Sequence, residues 1–364
     1  MFVNQPGNFD SHAKYWCGNK AWDRQFGSQG RTVLKKTMNS TVPDETHVLQ
    51  CFFLTYYEMK KTTALTAISV TVTIWNGILL VVALIANGLV CTAILINSDL
   101  RKRTSNTLLL LLSMSDFFVG LAVQPMYFIR RLLELHDHYV CWVLVTYRVL
   151  WHLSIGTSFL ILCFISCERY IALFFAFKYK QIISTTRLLF FTGFFVISWT
   201  LFVISRFLGV ESGKYYTAAT SFIIIFVTII IFVYFRIYRL ALRHHSQIQS
   251  LHQNASTVAK ERKVTKTTAY IIGSVLLCYS PLLISLVAVK FFEDKLFHYY
   301  VFPITDCMVF CNSSLNPLIY CWRNAELRRC IARLTGIKAR EEISWCSGGV
   351  QEIKGAVSWI LSKF

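Results

Sequence analysis

Seven apolar stretches, each long enough to cross a bilayer as a helix, occupy most of the chain. They lie at about 67–97, 104–132, 139–173, 188–207, 217–241, 267–291 and 299–322. A bilayer core requires about 20 apolar residues in a helix, whereas a strand of a membrane barrel needs only about half that number. Every stretch is too long for such a strand. The pattern therefore predicts an all-α membrane protein built as a seven-transmembrane helix bundle.

Basic residues concentrate in alternate connectors between these stretches. The basic segments are the first, third and fifth connectors and the tail after the seventh stretch: Arg101, Lys102, Arg103, Lys178, Lys180, Arg187, Arg243, Lys260, Arg262, Lys263, Lys266, Arg323, Arg328, Arg329 and Arg333. The other connectors balance their charges, as Arg130 and Arg131 do with Glu134 and Asp137. Because cytoplasmic loops carry the excess of Lys and Arg, we expect a multi-pass plasma-membrane protein whose N-terminus is outside and whose C-terminus is cytoplasmic.

This orientation divides the chain into four parts. Residues 1–64 are the predicted extracellular tail, 65–322 the bundle, 323–335 an amphipathic helix and 336–364 a cytoplasmic tail. In the third part, RNAELRRCIARL alternates basic and apolar residues at helical spacing. That alternation is typical of a helix lying on the inner leaflet.

Two modification sites follow from the same orientation. Asn39 begins an Asn-Ser-Thr sequon in the extracellular tail and is a candidate for glycosylation, although such triplets also arise by chance. Cys330 or Cys346 is a candidate for palmitoylation beside the inner leaflet, and an unmodified cysteine fits the sequence equally well.

Composition supports the membrane prediction. The chain is 55% hydrophobic and only 15% charged, whereas soluble domains are about 25% charged. Its net charge of +18 would suit nucleic acid, but the basic residues lie in short connectors, so membrane lipids are the expected partners and nucleic acid is not. No secretory signal peptide is evident at the N-terminus. If the N-terminus crosses the membrane, we therefore expect the first apolar stretch to carry it.

Several polar residues interrupt the apolar stretches. They are Asn87, Asp116, Ser158, Asn312, Ser313 and Asn316. A single polar residue usually joins neighbouring membrane helices. Together, one carboxylate and several amide and hydroxyl oxygens at similar depth suit a small cation or a proton. Pro125, Pro281, Pro303 and Pro317 also lie within the stretches, where proline makes kinks and so favours a bundle with two conformations.

The residues also match a known family in order and position. The matching motifs are Asn87 in ANGLV, Asn106, Asp116 in LSMSD, the triplet Glu168-Arg169-Tyr170, Trp199, Tyr234, Pro281 in CYSP, and NPLIY from Asn316 to Tyr320. With these motifs the chain resembles a rhodopsin-like (class A) G-protein-coupled receptor over residues 65–335. Its short connector between the fourth and fifth stretches resembles the adenosine, melanocortin and lysolipid receptors. The resemblance implies a receptor with no enzymatic activity, no resident cofactor and a heterotrimeric G protein as partner.

The resemblance implies a switch at the cytoplasmic side. Glu168 would hold Arg169 at rest, Glu261 would be a second acid facing that arginine, and Phe177 would plug into the G protein. The full switch set is Glu168, Arg169, Tyr170, Phe177, Tyr234, Glu261, Tyr279, Pro281, Asn316, Pro317 and Tyr320. The implied sodium pocket comprises Asp116, Ser158, Asn312, Ser313 and Asn316.

Some positions depart from the family pattern. Tyr279 replaces the usual tryptophan of the switch, Val275 a phenylalanine, Phe226 a proline of the fifth stretch, and Ala176 a proline after the third. The usual disulfide joins the third helix to the second outer loop, yet that loop, FLGVESGKYY, contains no cysteine. A Cys51–Cys141 disulfide and a free Cys141 are the alternatives.

The ligand is constrained only indirectly. Amine receptors carry an aspartate where this chain has Trp151, and opsins a lysine where it has Phe310, so we expect neither a monoamine nor retinal. The implied cavity is lined by Tyr127, Arg148, Trp151, His152, Tyr279 and Asp306. The arginines suit an anionic lipid or an acidic peptide. Alternatively, Arg148 pairs with Asp306, or the outer arginines extend to lipid headgroups.

Other function classes lack their signatures. A transporter would show repeated halves with paired broken helices, and a channel would show a charged ring or filter loop. An intramembrane enzyme would need paired aspartates, a zinc motif or a nucleophile with its base. None of these patterns is evident in the sequence.

Overall fold

The computed structural model describes residues 48–51, 54–57, 62–248, 255–289, 291 and 297–336. Within this part of the chain, seven long helices form a bundle and a shorter eighth helix follows. Their bounds are α1 Thr63–Ile96, α2 Thr104–Leu135, α3 Cys141–Phe174, α4 Thr185–Ile204, α5 Ser212–Ile248, α6 Ala255–Ala288, α7 Phe302–Arg323 and α8 Ala325–Leu334. The predicted all-α seven-helix fold is confirmed.

The helices are apolar on their outward surfaces as well as inside. Among the described residues, α1 to α5 are each long and apolar enough to cross a membrane, and α6 adds the shorter apolar segment Gly273–Ala288. On α4, Phe190, Phe194, Ile197 and Leu201 are exposed at the bundle surface. A helix that is apolar on all sides fits a lipid environment, because lipid tails cover the outer face while backbone groups are bonded internally.

Helix α3 is the centre of the bundle. In its most apolar stretch 72% of residues are buried, against 22% for α4 and α5. It packs against α2, α4 and α5, while α7 closes the bundle by packing against α1 and α6. We name the two ends of the bundle after α3: the Cys141 end, where α3 begins, and the Arg169 end, towards which it finishes.

Helix α2 contains a π-helical turn at Val119–Val123, just before Pro125. Proline lacks a backbone N–H, so the preceding turn cannot form regular α-helical bonds and widens. Asn76 of α1 contacts this irregular region, and its Nδ2 donates to the Gln124 carbonyl at 3.0 Å. The bond anchors α1 against the bent part of α2.

The helices extend beyond the apolar stretches at the Arg169 end. α5 continues to Ile248 and α6 begins at Ala255, because a polar segment of good helix formers can prolong a helix after the apolar run ends. Asn324 caps α8, accepting from the amides of Glu326 and Leu327. The Glu326 carboxylate pairs with Arg103 in the connector after α1, with 2.7 Å between Oε2 and Nη1.

A two-stranded antiparallel hairpin precedes α1 and was not predicted. Its strands are β1, Val48–Cys51, and β2, Leu54–Tyr57, with Cys51 paired opposite Leu54. A disulfide joins Cys51 to Cys141 at the start of α3, with 5.3 Å between their Cα atoms. The structure thus contains the first of the two alternatives for Cys141.

Candidate functional site

A buried carboxylate holds two side chains at the Arg169 end. Glu168 is only 1% exposed. Arg169 Nε donates to Glu168 Oε2 at 2.5 Å, and the Tyr179 hydroxyl donates to Oε1 at 2.5 Å. Both carboxylate oxygens are therefore used within the protein. Burial and the bond to Glu168 raise the pKa of Tyr179, so this hydroxyl remains a donor at physiological pH.

The remaining predicted switch residues lie on several elements. Tyr170 stacks on Phe174 with ring centroids 4.3 Å apart, and Phe177, in the turn after α3, is fully exposed. Tyr234 of α5 is half-buried against the core. Tyr320 is buried, and its hydroxyl has no hydrogen bond within the described residues. Glu261 lies on α6, but its side chain is outside the described part of the structure.

Proline interrupts both α6 and α7. Pro281 lies inside α6 and Pro317 inside α7. The Pro281 carbonyl accepts a bond from the Ser285 hydroxyl at 2.7 Å. Tyr279, two residues before Pro281, is buried with its ring centroid 4.6 Å from that of Phe159 on α3.

A polar core lies between α2, α3 and α7. Asp116 is completely buried, and its Oδ2 accepts from Asn316 Nδ2 at 2.8 Å. The Ser313 hydroxyl faces the same carboxylate. Ser158 of α3 reaches α2 through Ser115, with 3.3 Å between the two hydroxyl oxygens. Four of the five predicted pocket residues are on α2 and α7, and Ser158 joins them from α3.

Several oxygens in this polar core have no hydrogen-bond partner among the described residues. They are Asp116 Oδ1, Asn312 Oδ1, Asn316 Oδ1 and Ser113 Oγ. A buried polar atom normally has a partner, so this set points to water or a cation. Asn87 supports the site from α1, because its Nδ2 donates to the Ser313 carbonyl and to the Ala83 carbonyl, both at 2.9 Å.

A second polar cluster lies towards the Cys141 end. Asp306 of α7 is buried, and its Oδ2 accepts from the Tyr147 hydroxyl at 2.8 Å. Tyr127 donates to the Pro303 carbonyl at 3.1 Å, and its ring centroid lies 5.5 Å from that of Tyr147. A carboxylate on α7 therefore sits among aromatic rings from α2 and α3.

Arginines surround this cluster and are already compensated. Arg130 Nε and Arg131 Nη1 bind the two oxygens of Glu134 at 2.7 and 2.5 Å. Arg148 lies over the Trp151 ring at 5.8 Å, and its charge acts on Asp306. Glu134 therefore compensates Arg130 and Arg131, while Arg148 acts on Asp306 through its charge.

The His152 ring lies against α5 and also against Trp151, whose ring centroid is 5.1 Å away. Its Nδ1 is 2.7 Å from the Arg148 carbonyl oxygen. Its ring centroid lies 5.7 Å from that of Tyr215 and 6.1 Å from that of Tyr216, both on α5. Adjacent residues on an α-helix point about 100° apart, and this rotation turns His152 towards Tyr215 and Tyr216 of α5. The structure brings Tyr127, Arg148, Trp151 and Asp306 together, with Tyr279 deeper in the bundle.

Trp199 fixes the contact between α3 and α4. Its Nε1 donates to the His152 carbonyl at 2.9 Å, and the ring stacks on Phe222 with centroids 4.5 Å apart. The indole lies directly over Gly156, where an added Cβ would be 2.0 Å from Trp199 Nε1. Only glycine leaves room for this approach.

The predicted modification sites are placed differently. Asn39 lies outside the described residues, as does Cys346. Cys330 is half-buried, with its Sγ 3.6 Å from the Ala93 carbonyl oxygen at the end of α1. Acylation of Cys330 would require the thiol to leave this contact.

Comparison with known proteins identifies the family. A sequence profile described as "7 transmembrane receptor (rhodopsin family)" matches residues 86–215 and 210–320. The chain belongs to the rhodopsin family of seven-transmembrane receptors. It is a receptor of this family and not an enzyme, and its helices make it a multi-pass membrane protein.

Individual receptors of the family are similar over most of the chain. A D(1)-like dopamine receptor of Oreochromis mossambicus is 26% identical over 308 residues, covering 71% of this chain and 77% of the relative. A D(1B) dopamine receptor of Xenopus laevis is 27% identical, covering 72% and 68%. A histamine H2 receptor of Rattus norvegicus is 25% identical, covering 74% and 80%.

These relatives correct the expectation about the ligand. The absence of an aspartate at Trp151 predicts a ligand other than a monoamine, and that prediction is wrong, since the receptors named above are dopamine and histamine receptors. The expectation rested on the residue at one position of α3, Trp151, and a single position is too narrow a criterion for the class of ligand. Another helix, α7, carries a buried carboxylate, Asp306.

The structure adds residues that the sequence reasoning missed. Tyr147 precedes Trp151 by four residues, so helical spacing places both on one face, and that spacing could have identified it. Tyr179 follows α3 in a connector, where no helical period relates it to Glu168. Its contact with the carboxylate is visible only in the folded chain.

Proposed function

We propose that this receptor binds an extracellular ligand at the Cys141 end and activates a heterotrimeric G protein at the Arg169 end. In this orientation the N-terminus is outside the plasma membrane and the C-terminus is cytoplasmic. The alternation of basic connectors supports the orientation. The buried cluster of Glu168, Arg169 and Tyr179 carries the proposal, because it holds a cation against the end of α3 in a form that can be released.

The cluster acts as a restraint on Arg169. A guanidinium bound to a buried carboxylate is held by a charge-assisted hydrogen bond, and breaking it frees the arginine to bind the G protein. Phe177, fully exposed beside the cluster, supplies an apolar contact for the same partner. Glu261 of α6 would add a second restraint on Arg169, as the resemblance implies.

Tyr179→Phe is expected to raise agonist-independent G-protein activation about fivefold, because it removes a hydrogen bond of about 1 kcal/mol that stabilises the resting cluster. The measurement is basal second-messenger output per receptor at the cell surface. Tyr216→Phe, at the opposite end of the bundle, is the matched control and should leave output unchanged. Basal output that is the same in Tyr179→Phe and wild type would contradict the proposed role.

The polar core is proposed as a site for a small monovalent cation. Asp116 supplies the charge, and the oxygens of Ser158, Asn312, Ser313 and Asn316 are hard ligands of the type that such cations prefer. The oxygens that lack partners fit this assignment. When bound, the cation would neutralise Asp116 and keep α2 and α7 together in the resting bundle.

Asp116→Asn is expected to abolish the stabilisation of the purified receptor by sodium. For the wild type, replacing N-methylglucamine by sodium at ten times its dissociation constant should add about 1.4 kcal/mol and raise the melting temperature by roughly 3 °C. Ser158→Ala should reduce this increment and Asp116→Asn should remove it. An equal sodium increment in wild type and Asp116→Asn would show that the cation binds elsewhere.

We propose that the extracellular ligand carries an amine. The similar dopamine and histamine receptors support this class, and Asp306 provides a buried carboxylate for an ammonium group. The rings of Tyr127 and Tyr147 lie next to it, and Trp151 follows Tyr147 by one turn of α3. Each of these rings has an arginine over its face at 5.0 to 5.8 Å. Aromatic faces that accommodate guanidinium groups are suited to a ligand cation as well.

Asp306→Asn is expected to lower the potency of an activating amine roughly 30-fold, which corresponds to a lost charged hydrogen bond of about 2 kcal/mol. Dopamine and histamine are the first probes, applied to cells with equal surface expression of each variant. Asp137→Asn, the same change in the connector after α2, should leave potency unchanged. Amine potency that is unaffected by Asp306→Asn would exclude this anchor.

A further inference from the structure

The hairpin that precedes α1 is seated on the outer turns of α3. Cys51 and Leu54 are 1% and 5% exposed, and they pack against Leu144 and Val145 of α3. Cys51 and Leu54 are opposite each other in the hairpin, so their side chains project from the same face of the two strands. That face is fixed to α3 by apolar contact as well as by the disulfide to Cys141.

The hairpin covers the α3 face that lines the ligand cavity. Leu144 lies four residues before Arg148, and Arg148 lies three residues before Trp151. Residues at this spacing share one side of a helix. Because Leu144 is beneath the hairpin, the hairpin lies one turn above Arg148 and two turns above Trp151.

The same segment is anchored on the opposite side of the cavity. Thr62, eleven residues after Cys51, has its hydroxyl oxygen 3.2 Å from that of Tyr300, in the π-helical turn before α7. Tyr300 lies six residues before Asp306. The two anchors therefore stand above opposite walls of the cavity, one over Arg148 and the other over Asp306.

The connector between α4 and α5 cannot provide this cover. A short 3₁₀ turn, Ser205–Leu208, follows α4, and only residues 209–211 separate it from α5. Three extended residues span at most about 11 Å, which is little more than the distance between neighbouring helices. Arg206 also donates to the Val210 carbonyl and holds the connector close to α4.

We propose that the N-terminal hairpin is the roof of the ligand cavity and contributes to ligand selection, in place of the second outer loop. This inference rests on the proposed ligand site between α2, α3 and α7. The consequence is that a ligand must pass or contact β1 and β2 to reach Asp306. The disulfide then has a specific role, because it holds the roof on α3 and not on the bundle in general.

The test measures access to the cavity without an agonist or a G protein. Trp151→Cys places a thiol beneath the roof, and a membrane-impermeant methanethiosulfonate cation reports its rate of modification on intact cells. Releasing the roof with Cys51→Ser and Cys141→Ser together should accelerate that rate at least about tenfold, because access no longer waits for local opening. The modification rate of the same receptor without the Trp151→Cys substitution is measured in parallel and subtracted.

Two further variants keep the test decisive. Leu54→Ser retains the disulfide but weakens the apolar seat, and it should give an intermediate acceleration even if the double serine variant does not reach the surface. Lys214→Cys introduces a thiol at an exposed position of α5. Its modification rate should be the same in the intact receptor, in the double serine variant and in Leu54→Ser. If Trp151→Cys reacts equally fast with the hairpin seated and released, the roof is excluded. If the rates change while Asp306→Asn leaves amine potency unaffected, the roof stands and the proposed amine site is wrong.

Discussion

Gly156→Ala is expected to destabilise the receptor by about 3 kcal/mol or more, at the upper end of the cost of overpacking a core. The added Cβ would lie 2.0 Å from Trp199 Nε1 and Cε2. The indole cannot withdraw without losing its bond to the His152 carbonyl and its stacking on Phe222. A single methyl group would therefore separate α3 from α4 at the centre of the bundle.

The matched control is Gly193→Ala on α4. A Cβ added there meets nothing within 4 Å, so alanine should stabilise the helix by roughly 0.5–1 kcal/mol through its higher helix propensity. The measurement is the melting temperature of detergent-solubilised protein together with surface expression. Equal melting temperatures for the two variants would show that Trp199 does not occupy the space over Gly156.

Arg169→Ala is expected to lower agonist-stimulated G-protein activation at least about tenfold, a loss of 1.4 kcal/mol or more in coupling. The variant removes the cation that the Glu168 carboxylate holds and that the G protein would receive. Surface expression should stay near wild type, because Arg169 is part-exposed and Tyr179 still bonds to Glu168.

Two variants separate this role from a general effect of charge. Arg187→Ala removes an exposed arginine at the same end of the bundle, where it bonds to the Ile182 carbonyl at 3.2 Å, and it should leave signalling unchanged. Arg169→Lys retains the charge but lacks the planar fork, so it should give partial activity. Full signalling from Arg169→Ala at equal expression would remove Arg169 from the mechanism.

The helices were predictable because membrane crossing imposes a length on apolar stretches. Asp116 and Asn316 were identified for a related reason, since polar residues in a membrane helix require partners. The ends of α5 and α6 were not predictable by that criterion, because these helices continue through polar residues beyond the membrane. The contacts of His152 with Tyr215 and Tyr216 were not predictable either, because they depend on how α3 packs against α5.

The hairpin and the Tyr179 contact depend on long-range packing. A two-stranded hairpin is at best marginally stable alone, and this one is held by the disulfide and by Leu144 and Val145 of α3. No local pattern in VLQC or LTYY specifies those partners. The class of ligand shows the same limit, because the residue at one position, Trp151, does not determine it.

In the proposed mechanism, the cluster of Glu168, Arg169 and Tyr179 is the switch through which the receptor drives a G protein. Its most direct test is the rate of nucleotide exchange on purified heterotrimers of each G-protein class, with the receptor reconstituted in lipid nanodiscs. We predict that Tyr179→Phe exchanges fastest, wild type more slowly, and Arg169→Ala at the rate of empty nanodiscs. The proposed switch would be contradicted if all three proteins gave the same exchange rate with every heterotrimer. The three proteins are Tyr179→Phe, wild type and Arg169→Ala.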